Sequence, residues 1–342
     1  MNILICYGTR PELIKIKPLF SAFRNRGISY RTLRLEQHTT LIDASEAIDH
    51  IVPIPQGTNR LDALLGAANC ISDKAYDGIT HVLVQGDTAT AFVCAMSAFH
   101  RNIPAIHLEA GLRTYDKQNP YPEEVYRQLI SRVASIHLCP TQTNLENLVR
   151  EGIDHYNAYV VGNTVLDNLI SLREQTTNGN EVIVTLHRRE NHSIMDQWFT
   201  EVNKLAQKYS EYKFVIPLHP NPNVQKHRGL LTHIKIVDPI PYDDFVKRLA
   251  GCAFAISDSG GIQEEVSFLG KSVVVCRKTT ERPESVGDNS FLCKEPNELQ
   301  HIVASNIIGK TFKQSNVYGD GKANDMIATI LNTIEKKDVK IQ

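Results

Sequence analysis

Apolar residues recur along this chain in two patterns. Short runs rich in Val, Ile and Leu alternate with stretches whose apolar positions fall three or four residues apart. The runs read as buried strands and the spaced positions as amphipathic helices, and their alternation marks an α/β protein with parallel sheets. In the first half the pattern predicts strands at 2–7 (NILICY), 30–35, 81–85 (HVLVQ), 104–109 (PAIHLE), 136–141 and 158–162, with helical segments between them. Residues 163–180 (NTVLDNLISLREQTTNGN) read as a short helix and a polar linker, a domain boundary. The alternation then restarts, with strands at 181–186, 213–218, 234–238, 253–257 and 272–276, and a last amphipathic stretch at 324–337. The expected architecture is two Rossmann-like domains facing a cleft, residues 1–166 and 167–323. A length of 342 residues suits two cores better than one.

In open α/β sheets ligands bind beyond the carboxyl ends of the strands, so those ends hold the candidate chemistry. The first strand runs into Gly8-Thr9-Arg10-Pro11-Glu12. That segment reads equally as a capped helix start and as an anion site with Arg10 and Lys15 near a positive helix end. Asp87 follows the strand at 81–85, Glu109 closes the one at 104–109, and Glu123 opens a later helix. Each alone is a common helix-capping residue; three converging on one sheet end are harder to explain by capping. In the second half, His187 and His219 follow strands. Asp258-Ser259-Gly260-Gly261 opens a helix whose bare N–H groups suit a diphosphate. Glu265, one turn further, is placed to accept from ribose hydroxyls, and Arg282 adds a cation after the last long strand.

Charge narrows the partners. Lys plus Arg number 37 against 38 acidic residues, a formal net charge of -1, which argues against a nucleic-acid binder. No apolar stretch reaches the length of a membrane span, and the N-terminus lacks a signal-peptide pattern, so a soluble cytoplasmic protein is expected. The seven cysteines form no C-x-x-C pair and read as buried reduced thiols. The histidines show no ligand spacing, and neither a dinucleotide fingerprint nor a P-loop occurs, so neither metal nor cofactor is expected.

Carboxyls in one half (Asp87, Glu109, Glu123) and anion binders in the other (His187, Gly260, Gly261, Arg282) fit a nucleotide sugar. Inverting a sugar carbon without redox chemistry requires proton removal from one face and delivery to the other. Prior loss of the diphosphate from C1 makes the C2 hydrogen removable, so such a site must stabilise a leaving diphosphate and supply two acid/base groups.

Taken together, GTRPELIKIKPL, QGDTATAF, HLEAGLRT, PYPEEVYR, CPTQTNLENL, VGNTVLD, HRREN, HPNPNV, SDSGGIQEE and TTERPE resemble the non-hydrolysing UDP-N-acetylglucosamine 2-epimerase family. The resemblance implies the GT-B glycosyltransferase fold, with the helix at 324–342 packing back on the first domain. It also implies a homodimer, supply of a precursor for surface polysaccharide or other glycans, and anti elimination of UDP through a 2-acetamidoglucal. By motif match, Asp87, Glu109 and Glu123 are the acid/base carboxyls and His187 assists the leaving diphosphate. Arg10, Lys15, His219, Ser259, Gly260, Gly261, Glu265 and Arg282 bind the nucleotide sugar.

Three departures stand out. Leu186 replaces a small residue before His187. Thr39 and Thr40 follow Gln37-His38 where relatives carry Arg, which counts against activation by bound substrate, and residues 38–62 look shortened. They widen the expected substrate from UDP-N-acetylglucosamine to related UDP-2-acetamido deoxy sugars. A hydrolysing epimerase and a retaining glycosyltransferase share many of these motifs; the HRREN form favours the non-hydrolysing branch.

Overall fold

A computed structural model describes residues 1–36, 48–54 and 60–341, and the apolar runs of the sequence are its central strands. The Gln37–Thr40 segment and most of 38–62 lie outside the described residues. In chain order the elements begin with β1 (Asn2–Tyr7), α1 (Arg10–Arg26), β2 (Ser29–Glu36), β3 (His50–Pro53), α2 (Arg60–Cys70), β4 (His81–Gln85) and α3 (Ala89–His100). There follow β5 (Ala105–Leu108), α4 (Glu123–Val133), β6 (Ile136–Cys139), α5 (Gln142–Arg150) and β7 (Ala158–Val160). The next stretch holds α6 (Ile170–Arg173), β8 (Glu181–Thr185), α7 (Met195–Lys208), β9 (Lys213–Pro217), α8 (Pro222–Gln225) and β10 (Lys235–Val237). It continues with α9 (Tyr242–Gly251), β11 (Phe254–Ser257), α10 (Gly260–Leu269), β12 (Val273–Cys276), β13 (Ser290–Cys293) and α11 (Leu299–Asn306), and α12 (Ala323–Ile341) ends the chain.

The chain divides into two compact units: Met1–Asn168 with Gly319–Gln342, and Leu169–Tyr318. In the first, the described strands form a parallel sheet of order β3-β2-β1-β4-β5-β6-β7. In the second they form a parallel sheet of order β10-β9-β8-β11-β12-β13. Both contain the doubly wound order in which the chain starts centrally, runs to one edge, then returns to build the other side. The fold class is α/β.

Alternation along β1 shows why both sheet faces are covered. Ile3, Ile5 and Tyr7 point into one cluster with Ile16, Phe20 and Phe23 of α1 and Ile327, Ala328 and Leu331 of α12. Leu4 and Cys6 point into the opposite cluster, with Cys94 and Ala95 of α3 and Ile130 of α4. Helix α12 therefore completes the first unit's core. Its start is fixed by Asp167, which accepts from the N–H groups of Ala323 (3.1 Å) and Asn324 (2.8 Å). In the second unit Val182 and Val184 of β8 pack with Trp198, Phe199 and Val202 of α7.

Two strands went unpredicted, β3 and β13, each four residues long and at a sheet edge. Their apolar runs are short, Ile51-Val52 in β3 and Phe291-Leu292 in β13, and β3 ends at a proline that cannot continue a ladder. Six of the seven free cysteines are buried, and Cys70 is exposed. Among the described residues no helix is long and apolar enough to cross a membrane, and no His/Cys/Asp/Glu group has the arrangement of a metal site.

Candidate functional site

In each sheet the strand order reverses at one place: between β1 and β4 in the first unit, and between β8 and β11 in the second. The crevice at such a switch point is where an open parallel sheet receives a ligand. Every candidate site residue lies on, or close behind, the carboxyl-end loops of one of the two sheets.

In the first unit, Gly8 ends β1 so tightly that a Cβ there would fall 2.1 Å from the Thr90 hydroxyl and 3.0 Å from the Leu35 carbonyl oxygen. Helix α1 then starts with Arg10, half-buried, behind the Thr9 cap. Its capping partner Glu12 is buried and accepts from the Gly8 (3.1 Å) and Thr9 (2.7 Å) N–H groups and from the hydroxyls of Thr9 (2.7 Å) and Thr88 (2.6 Å). Burial pushes the Glu12 carboxyl above the usual range, against the pull of those donors. The Thr88 bond ties the loop after β4 to the loop after β1, bracing the switch point.

Glu109 follows β5 with φ 63°, a left-handed conformation that costs a non-glycine residue about 1–3 kcal/mol. What holds it is a convergent set of donors. Lys15 Nζ lies 2.7 and 2.6 Å from its two oxygens, Asn163 Nδ2 donates at 3.1 Å, and Gln85 Nε2 donates as well. Asp87 follows β4 and is gripped by Arg127 through Nε (3.1 Å) and Nη2, while Arg127 Nη1 reaches Glu124 at 3.1 Å. Glu123 begins α4 one turn before Arg127 and borders a cavity of about 400 Å³ with Thr9, Leu35, Thr88, Val93 and Tyr126. The loops of Asp87 and Glu109 are adjacent: a Cβ on Gly86 would sit 3.4 Å from Glu109 Oε2, and the buried His107 ring bonds the Gly86 carbonyl at 2.8 Å. Lys15, expected near an anion at the positive end of α1, has its ammonium on the Glu109 carboxylate.

In the second unit, His187 stacks on His219, ring centroids 5.2 Å apart at 13°. Burial is the main cause that lowers both from the ordinary imidazole value, and His187 and His192 further disfavour a charge on His219. His219 Nδ1 accepts from the Asn221 N–H at 3.1 Å. Asp258, fully buried after β11, crosses the switch point: its Oδ2 accepts from the His187 (2.9 Å) and Arg188 (2.8 Å) N–H groups and from Asn191 Nδ2 (3.1 Å). Ser259 occupies the N-cap position of α10 without a side-chain capping bond, and Gly260 and Gly261 are the helix's first residues. Glu265 accepts from the Tyr242 hydroxyl at 3.0 Å, which with burial holds that phenol far above its usual range. Arg282, 6% exposed, pairs with Glu264 at 2.8 Å and Glu281 at 2.5 Å. The sequence reading treated it as an added cation, but it is embedded in acidic partners.

A match to the model of the family described as UDP-N-acetylglucosamine 2-epimerase spans residues 57–332, well over half of the chain. The chain belongs to that family. A UDP-N-acetylglucosamine 2-epimerase of Campylobacter jejuni is 37% identical, covering 96% of this chain and 97% of the relative. The Escherichia coli K12 enzyme of that name is 32% identical over 97% of this chain and 98% of its own. Among solved structures, the Neisseria meningitidis UDP-GlcNAc 2-epimerase bound to UDP-GlcNAc matches with a TM-score of 0.89 at 33% identity. That match covers 97% of this chain and all of the Neisseria one, so the two share their fold.

Several residues that build the sites of this 2-epimerase family member were not singled out from sequence. Gln85 and Asn163 hold Glu109, Arg127 holds Asp87, Asp258 underpins His187, and Tyr242 holds Glu265. All but Tyr242 lie inside the motifs that carried the resemblance, which was their one available signal. Leu186, expected to alter the site, is 2% exposed and belongs to the second unit's core, so its bulk is absorbed by packing.

Proposed function

We propose that this protein inverts C2 of UDP-N-acetylglucosamine, or of a closely related UDP-2-acetamido sugar, by the non-hydrolysing route. A carboxylate removes the C2 proton as the C1–O bond breaks, the electron pair leaves with UDP, and a 2-acetamidoglucal remains. UDP then re-adds at C1 while a second carboxyl delivers a proton to the opposite face of C2. Asp87, Glu109 and Glu123 are the acid/base groups, and His187 assists the diphosphate. Arg10, Lys15, His219, Ser259, Gly260, Gly261, Glu265 and Arg282 bind the nucleotide sugar, either directly or by shaping its loops.

The observation that carries this reading is the Glu109 cluster. A carboxylate in a strained backbone conformation, aimed by Lys15, Gln85 and Asn163 at the sheet's carboxyl end, is expensive to build for stability alone. The Neisseria relative, whose structure is described as bound to UDP-GlcNAc, supports the choice of sugar nucleotide. We further propose a cytoplasmic homodimer that feeds surface polysaccharide or glycan synthesis.

Incubation with a panel of UDP-2-acetamido sugars in D2O, followed by proton NMR, tests this. Deuterium at C2 with the UDP bond intact is the expected result. Free sugar rising in step with UDP would assign the hydrolysing reaction instead. An absence of exchange with every sugar in the panel would end the proposal.

A further inference from the structure

Asp258 is held by more bonds than a loop tie requires, and on one side only. Three N–H donors converge on Oδ2, those of His187, Arg188 and Asn191. Asn191 is itself fixed, donating to the Cys276 carbonyl at 3.0 Å and accepting from Trp198 Nε1 at 3.2 Å. The plane of the carboxylate is thereby set. Its other oxygen, Oδ1, is buried and has no hydrogen-bond partner, although Asp258 is 0% exposed. The nearest ring nitrogen is His187 Nδ1, 3.7 Å away. An unsatisfied carboxylate oxygen in the interior is costly, and a small rotation of the imidazole would satisfy it. Catalytic hydrogen bonds are commonly long in the free enzyme and tighten with substrate.

We propose that Asp258 is the positioning residue for His187: its Oδ1 takes the Nδ1–H bond, fixing the ring so that Nε2 is the nitrogen exchanging a proton with the diphosphate. This inference rests on the proposed epimerase reaction for its catalytic consequence, but not for the ring geometry itself. When the C1–O bond breaks, the electron pair goes to the diphosphate oxygen, and the proton on His187 Nε2 moves to that oxygen. On re-addition the same proton returns to Nε2. A carboxylate at Nδ1 stabilises the imidazolium that this exchange requires. The other charged or titratable groups around the ring are Arg188, Glu190 and His192 on its own segment and His219 stacked against it. Arg188 and His192 oppose a positive charge on this ring, a charge here opposes one on His219, and Asp258 is first among the groups that favour the His187 charge.

Asp258→Asn keeps one oxygen for the three N–H donors and turns an amide N–H toward Nδ1, so the loop is preserved while the ring tautomer is reversed. With ¹⁵N-labelled histidine in substrate-free protein, His187 should read as Nδ1–H in the wild type and Nε2–H in the variant. The kcat for C2 exchange should fall about 100-fold or more with KM changed only a few-fold. The pH limb belonging to His187 should move to lower pH, because the group favouring its protonation is gone. Asp258→Glu, which retains a carboxylate, should keep the Nδ1–H form and recover part of kcat. A wild-type ring carrying its proton on Nε2 would overturn the inference even if Asp258→Asn failed to fold. So would a folded Asp258→Asn with unaltered kcat and pH profile. Since the ¹⁵N spectra need no turnover, a protein inactive on every UDP sugar but showing the Nδ1–H ring would refute the reaction and leave the geometry standing.

Discussion

Two adjacent glycines at the start of α10 answer to different constraints, and alanine separates them. A Cβ on Gly260 would lie 2.4 Å from Arg282 Nη1 and 2.8 Å from Glu281 Oε1. Both atoms belong to a buried ion-pair group that includes Glu264, so neither can swing away as an exposed side chain would. Relieving the clash requires a shift of about 1 Å, and overpacking of that kind costs about 1–3 kcal/mol. Loosened ion pairs bring the expected loss for Gly260→Ala to about 2–4 kcal/mol. For a domain of this size that lowers Tm by roughly 5–15 °C. A Cβ on Gly261 meets nothing within 4 Å. Gly261→Ala should therefore leave Tm unchanged or raise it, since alanine gains about 0.5–1 kcal/mol in a helix. If that open space receives a diphosphate, Gly261→Ala should still weaken UDP binding at least about tenfold, or 1.4 kcal/mol. Calorimetry reads both quantities, as a thermal scan and as a UDP titration. A Gly260→Ala protein as stable as wild type would refute the packing argument. A Gly261→Ala protein that binds UDP normally would remove the diphosphate from this helix end.

Two further outcomes are expected. Arg127→Met takes the cation from Asp87 and from the fully buried Glu124, so it should cost about 3–5 kcal/mol in urea unfolding and slow C2 exchange about tenfold or more; unchanged exchange would show that Asp87 needs no such grip. Burial lowers His107 to about 4 and His137 to about 3, both below the ordinary 6.5, so the unfolded chain binds more protons in acid; the stability they confer is full above pH 6.5 and lost as pH falls through those values, about 3 kcal/mol for His107, and His107→Gln should flatten the slope of unfolding free energy between pH 7 and 5 by up to one proton, a wild-type slope in the variant refuting it.

The sequence disclosed the strands that are buried on both faces, because such strands must be apolar throughout. It disclosed the loops behind them as well, since β1, β4, β5, β8 and β11 end in Gly, Asp, Glu or His at abrupt breaks in that pattern. The edge strands β7 and β10 were legible as well, whereas β3 and β13 escaped because Ile51-Val52 and Phe291-Leu292 are short apolar runs set among polar residues and proline. Partners escaped for a different reason. Lys15 and Glu109 are 94 positions apart, and periodicity reports which face a residue occupies, not what meets it there. Arg282 reads as an added cation; its partner Glu281 is the neighbouring residue, but its other acid, Glu264, lies on a helix 18 positions earlier. Pairing across a parallel sheet is a product of its winding order, which no local window contains.

The first unit is not a continuous piece of chain. Ile327, Ala328 and Leu331, each 0% exposed, supply part of the layer beneath β1, and the ribosome makes them only after all of Leu169–Tyr318. During synthesis the opening 168 residues thus emerge with an uncovered apolar surface, and a nascent chain must wait for its tail before that surface is sealed. The inserted unit, contiguous in sequence, is under no such delay and is free to mature before the segment that precedes it.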